Sequence, residues 1–291
     1  MKKAVWMVTR DDSWYLDMAI ESVAKNVDGI FILDTGSKDA TPNIVGELKQ
    51  KYPSIVYEVR LFGGSRKFAS DYREVEARNY AMDRAKEEFN PDWLIQLDSD
   101  EVYNFRFFDI LDKNPVASCI AHATHLPTSP FQTTSYNRSD LSAWNGIQLF
   151  DPHVRAWLAK IPVRWVTRVG QHVIPRVEGK ADYLDLPGRY ISQEHIHFHL
   201  HRAFGPKCIA TYLVNFRHAY EGAATELGIP IEQVFNQKLY EERWPDWFEN
   251  EKFKPKAEIL QKLKSASIQL TSPLPDFVIK RWKEWGDWSN W

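Results

Sequence analysis

The chain has 291 residues, of which 37 are Lys or Arg and 39 are Asp or Glu, for a net charge of -2. That length holds one large core, or a core with a smaller appendage. The charge balance excludes a protein held as a whole to nucleic acid or anionic lipid by its field, though it leaves a local basic groove open. Cys119 and Cys208 are too few for a disulfide framework, so the sequence predicts a reducing compartment with both as small buried hydrophobes. The opening MKKAVWMVTRDDSW has an apolar run that stops at Thr9-Arg10-Asp11-Asp12. It is too short for a signal h-region, and no later run approaches the about 20 apolar residues of a membrane helix. A soluble, cytoplasmic protein is expected.

In chain order, residues 4–9 (AVWMVT) are apolar and partly β-branched, which predicts a buried strand. Leu16, Ala19, Ile20 and Val23 then recur at helical spacing and predict a helix with one face on a sheet. Ile30 to Leu33 reads as the second strand, ending at Asp34-Thr35-Gly36-Ser37-Lys38-Asp39. Thr41-Pro42 then reads as cap and first turn of a helix carrying Ile44, Val45 and Leu48. Residues 55–59 form a third strand, and residues 70–89 a helix whose Ala77, Ala81 and Ala85 allow close approach to a neighbour. Trp93 to Leu97 is the fourth strand.

This alternation predicts an α/β fold with a mostly parallel central sheet and helices on both faces. In such sheets ligands bind beyond the carboxyl ends of the strands. Three polar clusters stand there: Thr9-Arg10, Asp34 to Asp39 with Ser37 inside it, and Asp98-Ser99-Asp100-Glu101. They are expected to converge at one edge. Beyond about residue 115 the pattern breaks into short strands and loops. Residues 189–201 alternate again and place His195, His197, His199 and His201 on one strand face. From about residue 203 the pattern turns helical, with Ile259, Leu260 and Leu263 on one face and Trp244, Trp247, Trp282, Trp285, Trp288 and Trp291 crowding the end.

Asp98 and Asp100 are two apart and point the same way if the backbone stays extended. Two such carboxylates repel unless a proton or a cation intervenes. Oxygen donors of this kind suit Mg²⁺ or Mn²⁺, which grip phosphate oxygens. The plain alternative is a solvated acidic turn.

RDDSWYLDMAIESV, FILDTGSKDAT, EARNYAMDRA and DWLIQLDSDE together resemble, in order and spacing, the family 2 glycosyltransferases of GT-A fold. The resemblance is good over residues 4–103 and partial to about 202. It implies a catalytic domain over 1–202, with a nucleotide-binding half at about 1–103 and an acceptor half at about 104–202. A mainly helical, Trp-rich extension would follow over 203–291. It implies transfer of a sugar from a nucleotide-diphosphate donor, UDP-linked by default, to an acceptor hydroxyl with inversion. The acceptor is a saccharide by family habit, with a nucleic-acid base also open, and the oligomeric state is not legible. Carried over position by position, Thr9, Arg10, Asp34, Ser37, Asp39, Arg78, Asp98 and Ser99 would line the nucleotide site. Asp98 would face the ribose or a metal-bound water, and Asp98 and Asp100 would hold the cation with His197 or His199. An imidazole ligand favours Mn²⁺ over Mg²⁺. Where the family commonly has VDDGS this chain has LDTGS, so Thr35 replaces a carboxylate. The expected His-Glu pair of the general base is here Gln171-His172-Val173, which leaves His172, Glu194 and Asp151 as candidates.

Two other readings use the same residues. The D-T-G of Asp34-Thr35-Gly36 also looks like one active-site turn of an aspartic protease, but the dyad needs two such turns and only one is present. The Val in place of Glu after His172 also fits a sugar- or nucleotide-binding module without catalysis.

Overall fold

The computed structural model describes residues 1–62, 72–113, 117–125, 132–134, 151–167, 173–180, 188–192, 194, 196–200, 267–269 and 273–285. They fall into two compact units interleaved along the chain. The first comprises Met1–Ser99, Phe105–Ala121 and His153–Gln193, and the second Asp100–Asn104, His122–Pro152 and Glu194–Trp291.

The first unit is built around β1 (Lys3–Thr9), which runs parallel to both β2 (Gly29–Asp34) and β4 (Trp93–Gln96). Beyond β2 lies β3 (Ile55–Val59), also parallel, and β4 is flanked by antiparallel β8 (Asp151–Leu158). Thr9 stands opposite Asp34, and Trp6 opposite Gln96. The carboxyl ends of β1, β2 and β4 therefore reach one edge together, as the polar clusters predicted. β6 (Ser118–His125) pairs in parallel with β11 (Arg189–Ile191), and β9 (Val163–Thr167) forms a hairpin-like pair with β10 (Val173–Val177).

The helices are α1 (Leu16–Val23), α2 (Thr41–Lys51), α3 (Tyr72–Phe89) and α4 (Phe105–Lys113). The alanine stripe of α3 works as the spacing predicts. Ala77, Ala81 and Ala85 are buried and let the helix settle against Trp6, Phe31, Leu33, Leu94, Trp157 and Trp165. The Trp6 ring meets Trp157 and Trp165 edge-on, at centroid separations of 6.4 Å and 5.9 Å. Deleting a ring this deep costs about 3–5 kcal/mol in comparable cores. Residues of the opposite parity, Val5, Met7, Ile30 and Ile32, are equally buried, so the sheet is covered on both faces. At Gly29 a Cβ would run into the ring of Phe89, so glycine is what allows the end of α3 to cross the start of β2.

Two local expectations change. Thr41 does not cap α2: Ala40 holds the cap position and Thr41 begins the helix. The carboxylate of Asp39 accepts from the Thr41 N–H at 2.9 Å, so the acid two residues earlier supplies the oxygen expected of Thr41. The sequence reading also missed α4, whose Phe107, Phe108, Ile110 and Leu111 are buried.

In the second unit β5 (Glu101–Tyr103) runs antiparallel to β12 (His197–His199), and β12 runs parallel to residues 123–125 of β6. β7 (Gln132–Thr134) pairs with β13 (Ser267–Gln269), and α5 covers Asp276–Trp285. The expected boundary after residue 202 and most of the Trp-rich extension, with Cys208 and the Ile259–Leu263 stripe, lie outside the described residues. Cys119 is fully buried, which pushes its thiol up to about 12. Among the described residues no helix is long and apolar enough to cross a membrane.

Candidate active site

The loops leaving β1 and β2 are joined by hydrogen bonds. The Thr9 carbonyl accepts from the Thr35 N–H at 3.0 Å and from the Thr35 hydroxyl at 3.3 Å. Asp11 takes a φ of 53°, a left-handed conformation that Asp tolerates better than most residues. In this conformation its N–H donates to Ser37 Oγ at 2.9 Å, and its carboxylate accepts from the Lys38 N–H at 2.6 Å. Asp39 accepts from the Ser13 N–H at 3.0 Å and from the Ser13 hydroxyl at 2.5 Å. Asp12 extends the stitching to the end of β4, accepting from Ser99 Oγ at 2.5 Å. Its N–H donates to Thr41 Oγ1 at 3.2 Å. Asp12 was not among the residues singled out from the sequence; an acid directly after a strand end, in the same cluster as Thr9 and Arg10, was the signal available.

Asp34 is buried to 1% exposure and accepts four hydrogen bonds. Oδ1 accepts from the Gly36 N–H (2.8 Å), the Ser37 N–H (2.7 Å) and the Ser37 hydroxyl (2.9 Å). Oδ2 accepts from the Tyr57 hydroxyl at 2.6 Å. Burial first, and then the hydrogen bond and charge of Asp34, push the Tyr57 hydroxyl well above its usual range. Gly36 closes this turn with a φ of 101°, where a side chain would be strained and its Cβ would come within 2.5 Å of Leu61. Any contact of the Asp34 carboxylate with a nucleotide would be shared with these partners.

Asp98 lies just past the end of β4. The extended backbone does not persist through the D-S-D segment: the strand ends at Gln96 and the chain turns at Ser99-Asp100. The alternation that would aim Asp98 and Asp100 together is lost there. Asp98 Oδ1 accepts from Arg78 at 3.0 Å and from the Gln96 amide at 2.9 Å, while Oδ2 lies 3.4 Å from Arg155 on β8. Arg78 projects from α3, donates its Nε–H to Glu74 at 2.8 Å and lies over the Trp165 ring at 4.6 Å. Burial works against its charge, but the carboxylates of Asp98 and Glu74 outweigh it and keep the guanidinium firmly protonated. Arg155 and Trp165 were missed from the sequence. An arginine inside Val154-Arg155-Ala156-Trp157, all buried, was the legible sign of Arg155.

In the second unit the β5–β12 register sets His199 opposite Glu101 and His197 opposite Tyr103. One oxygen of Glu101, Oε1, lies 2.6 Å from His199 Nε2 and 3.1 Å from His197 Nε2. Glu101 and His197 are fully buried, and the His199 side chain is 14% exposed. Alternation along each short strand places E-x-Y against H-x-H with the acid between two imidazoles. The sequence reading picked His197 and His199 but not Glu101, because cross-strand register is invisible in a single chain. His195 and His201 lie outside the described residues, as does His172. The backbone of Asp151 begins β8, and Glu194 is half-buried.

The family model for glycosyl transferase family 2 matches residues 5–165. The chain belongs to that family. The matched stretch of this family 2 chain runs from β1 through β9 and so contains every stitched loop described above. No curated protein matches the sequence. Among solved structures, residues 1–349 of Staphylococcus aureus TarS in complex with UDP are 15% identical. That match has a TM-score of 0.42 and covers 90% of this chain and 83% of that one. A longer TarS chain matches at 14% identity and TM-score 0.42, and this chain spans 49% of its length. A Mycobacterium tuberculosis glucosyl-3-phosphoglycerate synthase with Mn²⁺, UDP and glucosyl-3-phosphoglycerate is 16% identical. Its TM-score is 0.30, over 43% of this chain and 44% of that one. The family assignment rests on the sequence match, not on these likenesses.

Proposed function

We propose that the chain transfers a sugar from a nucleoside-diphosphate donor, UDP-linked by default, to an acceptor hydroxyl with inversion at the anomeric carbon. The observation that carries the reading is the charged pairing on either side of the Ser99-Asp100 turn, within a chain of this family. Asp98 is held by Arg78 and Gln96, and Glu101 is held by His197 and His199.

The donor set of the second unit fits a divalent cation. The carboxylate of Glu101 lies beside the imidazoles of His199 and His197, and Asp98 and Asp100, the acids singled out from the sequence, would complete the cation's shell. A buried carboxylate with two imidazoles at one oxygen suits a transition ion, so Mn²⁺ is favoured over Mg²⁺. When bound, such an ion neutralises charge developing on the departing diphosphate. The chain's own residues supply the rest. The stitched loops of Thr9, Arg10, Asp34, Ser37, Asp39 and Ser99 fix the floor on which the nucleotide rests. Arg78, stacked on Trp165, presents a permanent positive charge beside Asp98 to the nucleotide. The acceptor proton goes to His172, Glu194 or Asp151 as general base. We further assign catalysis to residues 1–202 and contact with the acceptor, a saccharide in preference to a nucleic-acid base, to residues 104–202 and the Trp-rich extension. The working compartment is the cytoplasm.

The test is a panel of nucleoside diphosphates and their sugars, with and without Mn²⁺, followed by melting temperature and by release of nucleoside diphosphate. A donor at about 100 times its Kd raises stability by about 2.7 kcal/mol, so a Mn²⁺-dependent rise with one donor class is expected. No shift with any donor would overturn the reading. Binding without turnover across many acceptors would leave only a nucleotide-sugar binding module.

A further inference from the structure

One buried guanidinium takes no part in the chemistry just described. Arg155 is 2% exposed, in a strand whose neighbours Val154, Ala156 and Trp157 are buried and apolar. Valine or isoleucine would pack there more cheaply, since a guanidinium taken out of water is costly unless paired. Its pairing is specific. Ala156 stands opposite Ile95 in the antiparallel register, which carries Arg155 to the end of β4, and its NH1 lies 3.4 Å from Asp98 Oδ2. Arg78 and Gln96 hold the other oxygen at 3.0 Å and 2.9 Å. Arg78 comes from α3 and Arg155 from β8, so the carboxylate is gripped from two different elements. The two guanidiniums repel each other unless a carboxylate stays between them.

We propose that Arg155 is a positioning residue of the donor site, acting through Asp98. An aspartate just past the end of a strand has free rotamers, and its side chain is 24% exposed. Gripping both oxygens leaves one orientation, so Asp98 meets the donor without an ordering cost at binding. This rests on the donor-binding reading above. It adds that the buried charge on β8 sets affinity for the nucleotide although it does not touch it.

The experiment is a double-mutant cycle on UDP affinity with Mn²⁺ present, read by calorimetry on the full chain. Arg155→Met is expected to weaken UDP binding about tenfold, Arg155→Lys about threefold, and each effect is expected to shrink below about twofold in an Asp98→Asn background. A role confined to packing would instead persist in that background. UDP binding unchanged in R155M, or a tenfold loss that survives in R155M/D98N, overturns the inference while the donor reading stands. If R155M does not fold, R155K decides in the same way: wild-type affinity, or a loss unchanged by D98N, overturns it. Wild-type protein that binds no nucleoside diphosphate overturns both readings, a result distinct from either of these.

Discussion

Two fully buried carboxylates, one in each unit, are satisfied in opposite ways. Asp34 accepts from two backbone N–H groups and two hydroxyls, all neutral donors. Glu101 is met by the imidazoles of His197 and His199, which can carry charge or bind metal. The first arrangement fixes a backbone turn. The second holds a charge where an ion can share it. Burial alone therefore does not say whether an acid is structural or chemical; the kind of partner does.

The comparison can be broken most severely at the second carboxylate. Glu101→Gln keeps the shape and removes the charge, and Asp100→Ala removes the neighbouring oxygen donor. Each is expected to lower Mn²⁺-dependent turnover by at least about a hundredfold, with the fold intact by circular dichroism. Near-normal turnover in Glu101→Gln would mean that this carboxylate serves the fold alone, and near-normal turnover in Asp100→Ala would remove Asp100 from the cation's shell.

Asp34→Ala should do the reverse, with its main effect on folding. Two backbone donors and two hydroxyls lose their acceptor, an expected cost of about 3 kcal/mol by denaturant titration. A stability loss under about 1 kcal/mol would mean that the turn stands without its acid.

Tyr57→Phe sharpens the same point at about 1 kcal/mol. Because the Tyr57 pKa is raised in the folded state, its contribution is complete below the ordinary tyrosine range and is lost as pH rises through the folded value. Wild type should accordingly lose stability relative to Y57F above about pH 10, the ordinary tyrosine value. Parallel curves for the two proteins at alkaline pH would contradict this. The smallest effect expected is at Cys119, whose burial and raised pKa predict negligible labelling by a thiol reagent in the native protein at pH 8. Prompt labelling of that residue would show that β6 opens.

The strands and helices of the first hundred residues were legible because their apolar spacing follows the period of each element. Ala77, Ala81 and Ala85 declared the face of α3, and the polar clusters declared where β1, β2 and β4 stop. Arg78 and the D-S-D segment were legible as motifs. The rest of the site was not, because its members are distant in sequence. Asp12 and Ser99 are 87 positions apart, and Arg155 and Asp98 are 57 apart.

By itself, then, the sequence determined the α/β order, the edge where polar loops gather, and the family. Those follow from local periodicity and from motifs written in consecutive residues. Only the tertiary structure decided which carboxylate meets which partner: Asp34 with Tyr57, Asp98 with Arg78 and Arg155, Glu101 with His197 and His199. Hydrogen bonds and ion pairs act over about 3 Å, and strand register and helix packing bring such atoms that close. No spacing along the chain records those distances.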